Sequence, residues 1–139
     1  MRLLVLTPEA PVVDGDVAHV RAEDDSGSFG VLPGHANLVT ALAISVLAYR
    51  SPDGREQFVA VRGGLLTVSG GVRVQVLTRE AVTGDDLAAL ERDVLARFRR
   101  SEAAEERARS GAGKLETTLL RRVADYVHVE GSRRAGGAG

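Results

Sequence analysis

Through residue 82 the apolar positions recur with the period of two that half-buried strands require, and turn residues interrupt them at short intervals. Residues 2–6 form a short apolar run. Asp14-Gly15-Asp16 reads as a turn, and residues 17–23 set Ala18, Val20 and Ala22 against His19, Arg21 and Glu23. Further strands are expected at residues 29–32 and at 42–50, where Leu42, Ile44, Val46 and Ala48 share one side, followed by the turn Ser51-Pro52-Asp53-Gly54. Three more are expected at residues 57–61, at 65–68 after Gly63-Gly64, and at 72–77 after Gly70-Gly71, where Val72, Val74 and Val76 face one way. Some seven short strands at this spacing predict an all-β sandwich or flattened barrel.

At Thr83-Gly84-Asp85-Asp86 the period changes. Acidic residues suited to a helix start precede Leu87, Leu90, Val94 and Phe98, spaced by three and four. This helix is expected to run to about Arg109 and stop at Ser110-Gly111-Ala112-Gly113. A second stripe then follows at Leu115, Leu119, Val123 and Tyr126. The pair reads as an αα-hairpin. Each stripe is narrow, so the helices are expected to bury them on each other and to leave little with which to grip the β domain. The resulting organisation is a sandwich over residues 1–82, a hairpin arm over 83–130, and a Gly, Ala, Ser and Arg tail over 131–139 that is expected to be disordered.

Composition removes several function classes. Among 139 residues there is no Cys, which excludes disulfides, thiolate nucleophiles and zinc-thiolate sites. Eighteen basic residues against nineteen acidic give a net charge of -1, and aromatics make up 4% with no Trp, so neither the basic field nor the stacking platforms of nucleic-acid binding are present. The N-terminal apolar run ends by Thr7-Pro8, too short for an export signal. Residues 36–48, the longest apolar stretch, are broken by Asn37, Thr40 and Ser45 and fall short of the roughly 20 residues of a spanning helix. No direct membrane insertion is expected.

Candidate chemistry is sparse. Ser110-Gly111 and Gly113-Lys114 bring a phosphate loop to mind, but Ala108 replaces its first Gly, Leu115 replaces its Ser or Thr, and the segment joins helix to helix. His19, His35 and His128 lack the short spacings of a metal site, so no metal or cofactor is expected. His35 lies in a Pro33-Gly34-His35 turn, and Asp24 or Asp25 offers it an acid-base partner; a small β-sandwich enzyme is therefore the alternative to a binding subunit. Residues 85–134 carry eleven basic and ten acidic side chains. One reading is a solvated helix pair with intrahelical ion pairs such as Asp93 with Arg97. The other takes Arg97, Arg99, Arg100, Arg121 and Arg122 as basic clusters with forked donors for carboxylates on a protein partner.

Two segments carry a family resemblance. Gly27-Ser28-Phe29-Gly30-Val31-Leu32-Pro33-Gly34-His35-Ala36-Asn37-Leu38, followed some 25 residues on by Val61-Arg62-Gly63-Gly64-Leu65-Leu66, resembles the epsilon subunit of bacterial F-type ATP synthases over the chain up to about Val129. Ala108-Arg109-Ser110, Lys114-Leu115-Glu116 and Leu120-Arg121-Arg122 look like the alternate, sodium-associated N-ATPase branch. The resemblance implies a ten-stranded β-sandwich with a two-helix C-terminal domain, non-catalytic, lying peripherally at the cytoplasmic face of the bacterial inner membrane. It implies a rotor subunit that binds gamma and the c-ring, with Ser28, Phe29, Leu32 and His35 at or near that contact. The hairpin, through its Arg clusters, would reach the catalytic alpha and beta subunits and hinder ATP hydrolysis. Some relatives bind ATP at the start of the first helix, but the matching stretch Asp86-Leu87-Ala88-Ala89-Leu90-Glu91-Arg92 lacks the required Asp and Arg at their places, so no nucleotide residues are expected.

Overall fold

The computed structural model describes residues 1–111. The chain divides into two units, residues 1–100 and 101–139. The expected second helix, its Arg121 and Arg122, and the tail lie outside the described residues.

Eight strands come first: β1 (Arg2–Leu6), β2 (Pro11–Asp16), β3 (His19–Asp24), β4 (Gly27–Val31), β5 (Leu38–Arg50), β6 (Glu56–Ser69), β7 (Arg73–Leu77) and β8 (Ala81–Gly84). They pair in the order β2-β1-β7-β6-β5-β3-β4, with β8 also on β6. All pairings are antiparallel except β1 with β7. The β-sandwich expected from the sequence is therefore present.

Its two long strands explain how one continuous sheet makes two layers. The first half of β6 pairs with β8 and its second half with β7, while β5 runs beside it throughout. Val59 and Val61 are buried, yet so are Leu66 and Val68, so the inward parity flips at Gly63-Gly64, where both residues have positive φ. Opposite, β5 flips at Ala43: Leu42 shares the main core with Leu47 and Tyr49, and the pairing passes from Leu42–Gly64 to Ile44–Arg62. Ala43 and Gly63, at the same level, drop out of the ladder while the register on either side is unchanged, so both strands reverse which face is inward together. The expected stripe of Leu42, Ile44, Val46 and Ala48 is thereby split, with Leu42 on one face and Ile44 and Val46 on the other. Counting β5 and β6 once for each half turns eight strands into the ten that the resemblance implies.

Other differences are local. Asp14-Gly15-Asp16 pairs with Leu4, Leu3 and Arg2 inside β2 instead of turning. Val17 is buried and Ala18 exposed, because the alternation of β3 begins only at His19. Val74 and Val76 face the core, whereas Val72 precedes β7 and is exposed. Residues 57–61 and 65–68 belong to one strand, since Arg62 and Gly64, paired with Ile44 and Leu42, keep the chain on β5 through the flip.

The helix begins where the sequence places it. The Asp86 side chain accepts from the Ala89 amide, an N-cap, and opens α1 (Leu87–Ala89), a π-helical turn (Leu90–Val94) and α2 (Leu95–Gly111). Its apolar stripe is not reserved for a second helix. Leu90, Leu95 and Phe98 pack with Ala60 against Ile44, Val46, Phe58 and Val82, making a second core on the outer face of β5, β6 and β8. That half of the sheet is apolar on both faces, which is why it holds a helix. Asp93 takes Arg92 as its ion-pair partner at 3.2 Å and not Arg97, whose guanidinium lies over the Phe98 ring.

Candidate docking site

The loop between β4 and β5 and the turn between β6 and β7 are tied together at one end of the sandwich. The Gly34 amide donates to the Gly71 carbonyl at 2.7 Å, and the Gly70 amide donates to Asn37 Oδ1 at 3.0 Å. Within the loop, the His35 amide donates to the Leu32 carbonyl at 3.0 Å. These bonds give two connecting segments a fixed shape without burying their side chains. Leu32 on one and Val72 on the other are 58% and 63% exposed.

Each residue singled out in the sequence has a place here. Phe29 packs against the main core and anchors β4, while its neighbour Ser28 is exposed. His35 is half-buried, and its Nδ1 lies 2.6 Å from the Ala36 carbonyl. A carbonyl only accepts, so Nδ1 carries the proton. His35 shares a shallow hollow of about 330 Å³ with His19, Gly30, Leu32, Pro33 and Gly34.

No carboxylate is among the residues lining that hollow. Asp24 is engaged elsewhere. It accepts from the Ser26 amide and hydroxyl and from the Thr40 hydroxyl, the last at 2.8 Å. These bonds, the Ser26 hydroxyl foremost, hold its carboxyl below the ordinary value of 3.8. A carboxylate so stabilised is a poor base, and the pairing of His35 with Asp24 does not form. Among the described residues no group of three or more His, Asp or Glu is arranged to hold a metal.

A second exposed region lies across the sheet's outer face. Leu65 and Leu77 are directly paired neighbours on β6 and β7, Ala41 faces Leu65 across β5, and Val39 is exposed one alternation away. Leu65 and Leu77 fall in expected strands, Val39 and Ala41 precede the strand expected at residues 42–50, and the sequence pattern flags none of them as surface. Their only signal is parity, and parity misleads across the flip at Gly63-Gly64. On the helix, Arg97, Arg99 and Arg100 are exposed, with the Arg97 guanidinium 5.5 Å from the centre of the Phe98 ring. Among the described residues no helix is long and apolar enough to cross a membrane.

A stiff sandwich with apolar side chains held out on tied loops and a helix seated on its back matches one class of protein. Residues 1–84 match the family described as ATP synthase, Delta/Epsilon chain, beta-sandwich domain. The chain is 46% identical over 115 residues to the ATP synthase epsilon chain 2 of Cereibacter sphaeroides, covering 82% of this chain and 77% of that one. With the ATP synthase epsilon chain 2 of Paraburkholderia xenovorans it shares 37% over 128 residues, or 91% of this chain and 92% of that one. Among solved structures, a chain of the Euglena gracilis mitochondrial ATP synthase, OSCP/F1/c-ring, superposes with a TM-score of 0.57 at 25% identity, covering 81% of this chain and 65% of that chain. A chain of the Tetrahymena thermophila mitochondrial ATP synthase central stalk and c-ring has the same fold, with a TM-score of 0.51 at 14% identity over 59% of this chain and 65% of that one. The protein belongs to the ATP synthase delta/epsilon family, and within it to the epsilon subunits.

Proposed function

We propose that this epsilon subunit acts as a non-catalytic adaptor in the central rotor stalk, lying peripherally at the cytoplasmic face of the membrane. One end of its sandwich stands on the polar loops of the c-ring and another surface grips gamma. The observation that carries the reading is the pair of exposed side chains, Leu32 and Val72, on loops locked to each other by the Gly34–Gly71 hydrogen bond. Torque passes between neighbours only through a contact that does not yield. A close-packed sandwich with tied loops supplies that stiffness.

On this reading Ser28, Leu32 and His35 meet the c-ring, with Phe29 fixing the strand behind them. The outer face bearing Val39, Leu65 and Leu77 suits the apolar part of gamma. The Arg97, Arg99 and Arg100 cluster, with Arg121 and Arg122, reaches the acidic surface of the catalytic beta subunits beside alpha and restrains ATP hydrolysis. Resemblance to the sodium-associated branch supports placement in an enzyme of that kind.

Co-purification of the tagged chain with gamma and the c-ring tests the adaptor role; recovery of neither rejects it. For the brake, the assembled enzyme is compared with one whose epsilon chain ends after Arg100, a cut that leaves Leu90, Leu95 and Phe98 covering Ala60. Faster hydrolysis supports restraint by the helical arm, and an unchanged rate rejects it. Charge reversal at Arg97, Arg99 and Arg100 separates the contribution of these side chains.

A further inference from the structure

Two histidines that are distant in the sequence are brought to one place by the fold. His19 opens β3 and His35 lies in the loop after β4, yet both line the hollow of about 330 Å³ with Gly30, Leu32, Pro33 and Gly34. Both side chains are half-buried. Because β3 runs antiparallel to β4 with Val20 opposite Val31, His19 stands level with Leu32, the first residue of the loop that carries His35.

The ring nitrogens are set up for more than local bonding. His35 Nδ1 lies 2.6 Å from the Ala36 carbonyl, so in the neutral ring the proton sits on Nδ1 and the lone pair on Nε2. Metal-ligating imidazoles make the same second contact, which fixes their tautomer and orientation. His19 Nε2 lies 3.3 Å from where a Cβ on Gly30 would stand. A side chain at residue 30 would press on that nitrogen, and glycine leaves the ring its place at the wall of the hollow. The other lining residues are Gly, Leu and Pro. Arg21, which pairs with Gly30, is exposed and is not among them. Imidazole nitrogens without a carboxylate suit Zn²⁺, Cu²⁺ or Ni²⁺ and do not suit Mg²⁺ or Ca²⁺, which take oxygen ligands.

We propose that this hollow is a two-imidazole site for a divalent transition-metal ion of the zinc type, held by the Nε2 atoms of His19 and His35. Sequence spacing conceals it, because the two donors come from different elements. Two protein ligands leave two positions of a tetrahedral shell to water, or to a donor on whatever covers this end of the sandwich. A bound ion ties the β4–β5 loop to the start of β3, beside the exposed Leu32. The site goes beyond the adaptor role and does not depend on it.

The full-length chain tests this by proton–nitrogen NMR correlations of the imidazole rings during titration with zinc chloride, a diamagnetic probe. In wild type the Nε2 signals of His19 and His35 should move together at one zinc midpoint. Magnesium or calcium chloride at the same concentrations should leave both in place. His19→Ala and His35→Gln each remove one donor, and in either variant the remaining ring should need at least about tenfold more zinc. Strand amide signals matching wild type show that a variant is folded, and either variant decides by itself. Separate midpoints, movement of one ring alone, no movement, an equal response to magnesium, or an unaltered midpoint in a folded variant overturns the proposal.

Discussion

Gly34 and Gly71 meet backbone to backbone: the Gly34 amide donates to the Gly71 carbonyl at 2.7 Å, and a Cβ on Gly71 would stand 2.9 Å from the Gly34 Cα. Gly71 also has φ +71, a conformation that a Cβ disfavours. Gly71→Ala should therefore cost about 1–3 kcal/mol in urea denaturation. Gly15→Ala, at a position with nothing within 4 Å of the added Cβ, serves as the control and should change stability far less.

Gly64 is the more severe case. Its φ is +118, and an added Cβ would fall 2.0 Å from the Leu77 carbonyl oxygen in the neighbouring strand. Backbone has nowhere to move without opening the β6–β7 pairing, so Gly64→Ala should exceed the usual ~1 kcal/mol effect of a point change. Loss of a cooperative thermal transition is the expected reading.

Phe98→Ala should act on the helix and spare the sheet. Phe→Ala in a core costs roughly 3–5 kcal/mol, but the loss is capped where the element can lift off. Phe98 belongs to the cluster under the helix and not to the main core. Hydrogen exchange should accelerate across Leu90–Phe98, with strands β1, β6 and β7 still protected.

Asp24 predicts a small acid-side dependence. Its folded pKa lies below the ordinary 3.8, so its contribution is present above 3.8 and is lost as pH falls through the lower folded value. The group is at the surface, and its hydrogen bonds, not burial, cause the shift. Thr40→Val should raise the Asp24 pKa toward 3.8 in a carboxyl NMR titration. No movement would remove Thr40 as a cause.

Leu32→Asp and Val72→Asp should leave thermal stability within about 0.5 kcal/mol of wild type, as changes at exposed positions do. Both should weaken retention of the chain in the assembled ATP synthase, measured by co-purification. Intact retention would show that these side chains do not meet a neighbour.

Much of this molecule was readable along the chain. The change from period two to period three-and-four near Gly84 gave the order of sheet and helix, and the Pro33-Gly34-His35 and Gly63-Gly64 segments gave the family. Short-range chemistry governs those features: turn residues, an Asp86 cap and alternating burial act within a few positions. What the sequence alone could not decide is where each stripe points. Ile44 and Val46 look like continuations of Leu42, and Leu95 looks like the wrong side of its helix, until β5 flips opposite Gly63-Gly64 and the π turn inserts one position. Both depend on which surface arrives from elsewhere in the chain. A break in a strand's alternation, or one extra residue in a helical turn, costs little locally, and its place is chosen by the packing it permits against distant partners such as Ala60 and Gly84.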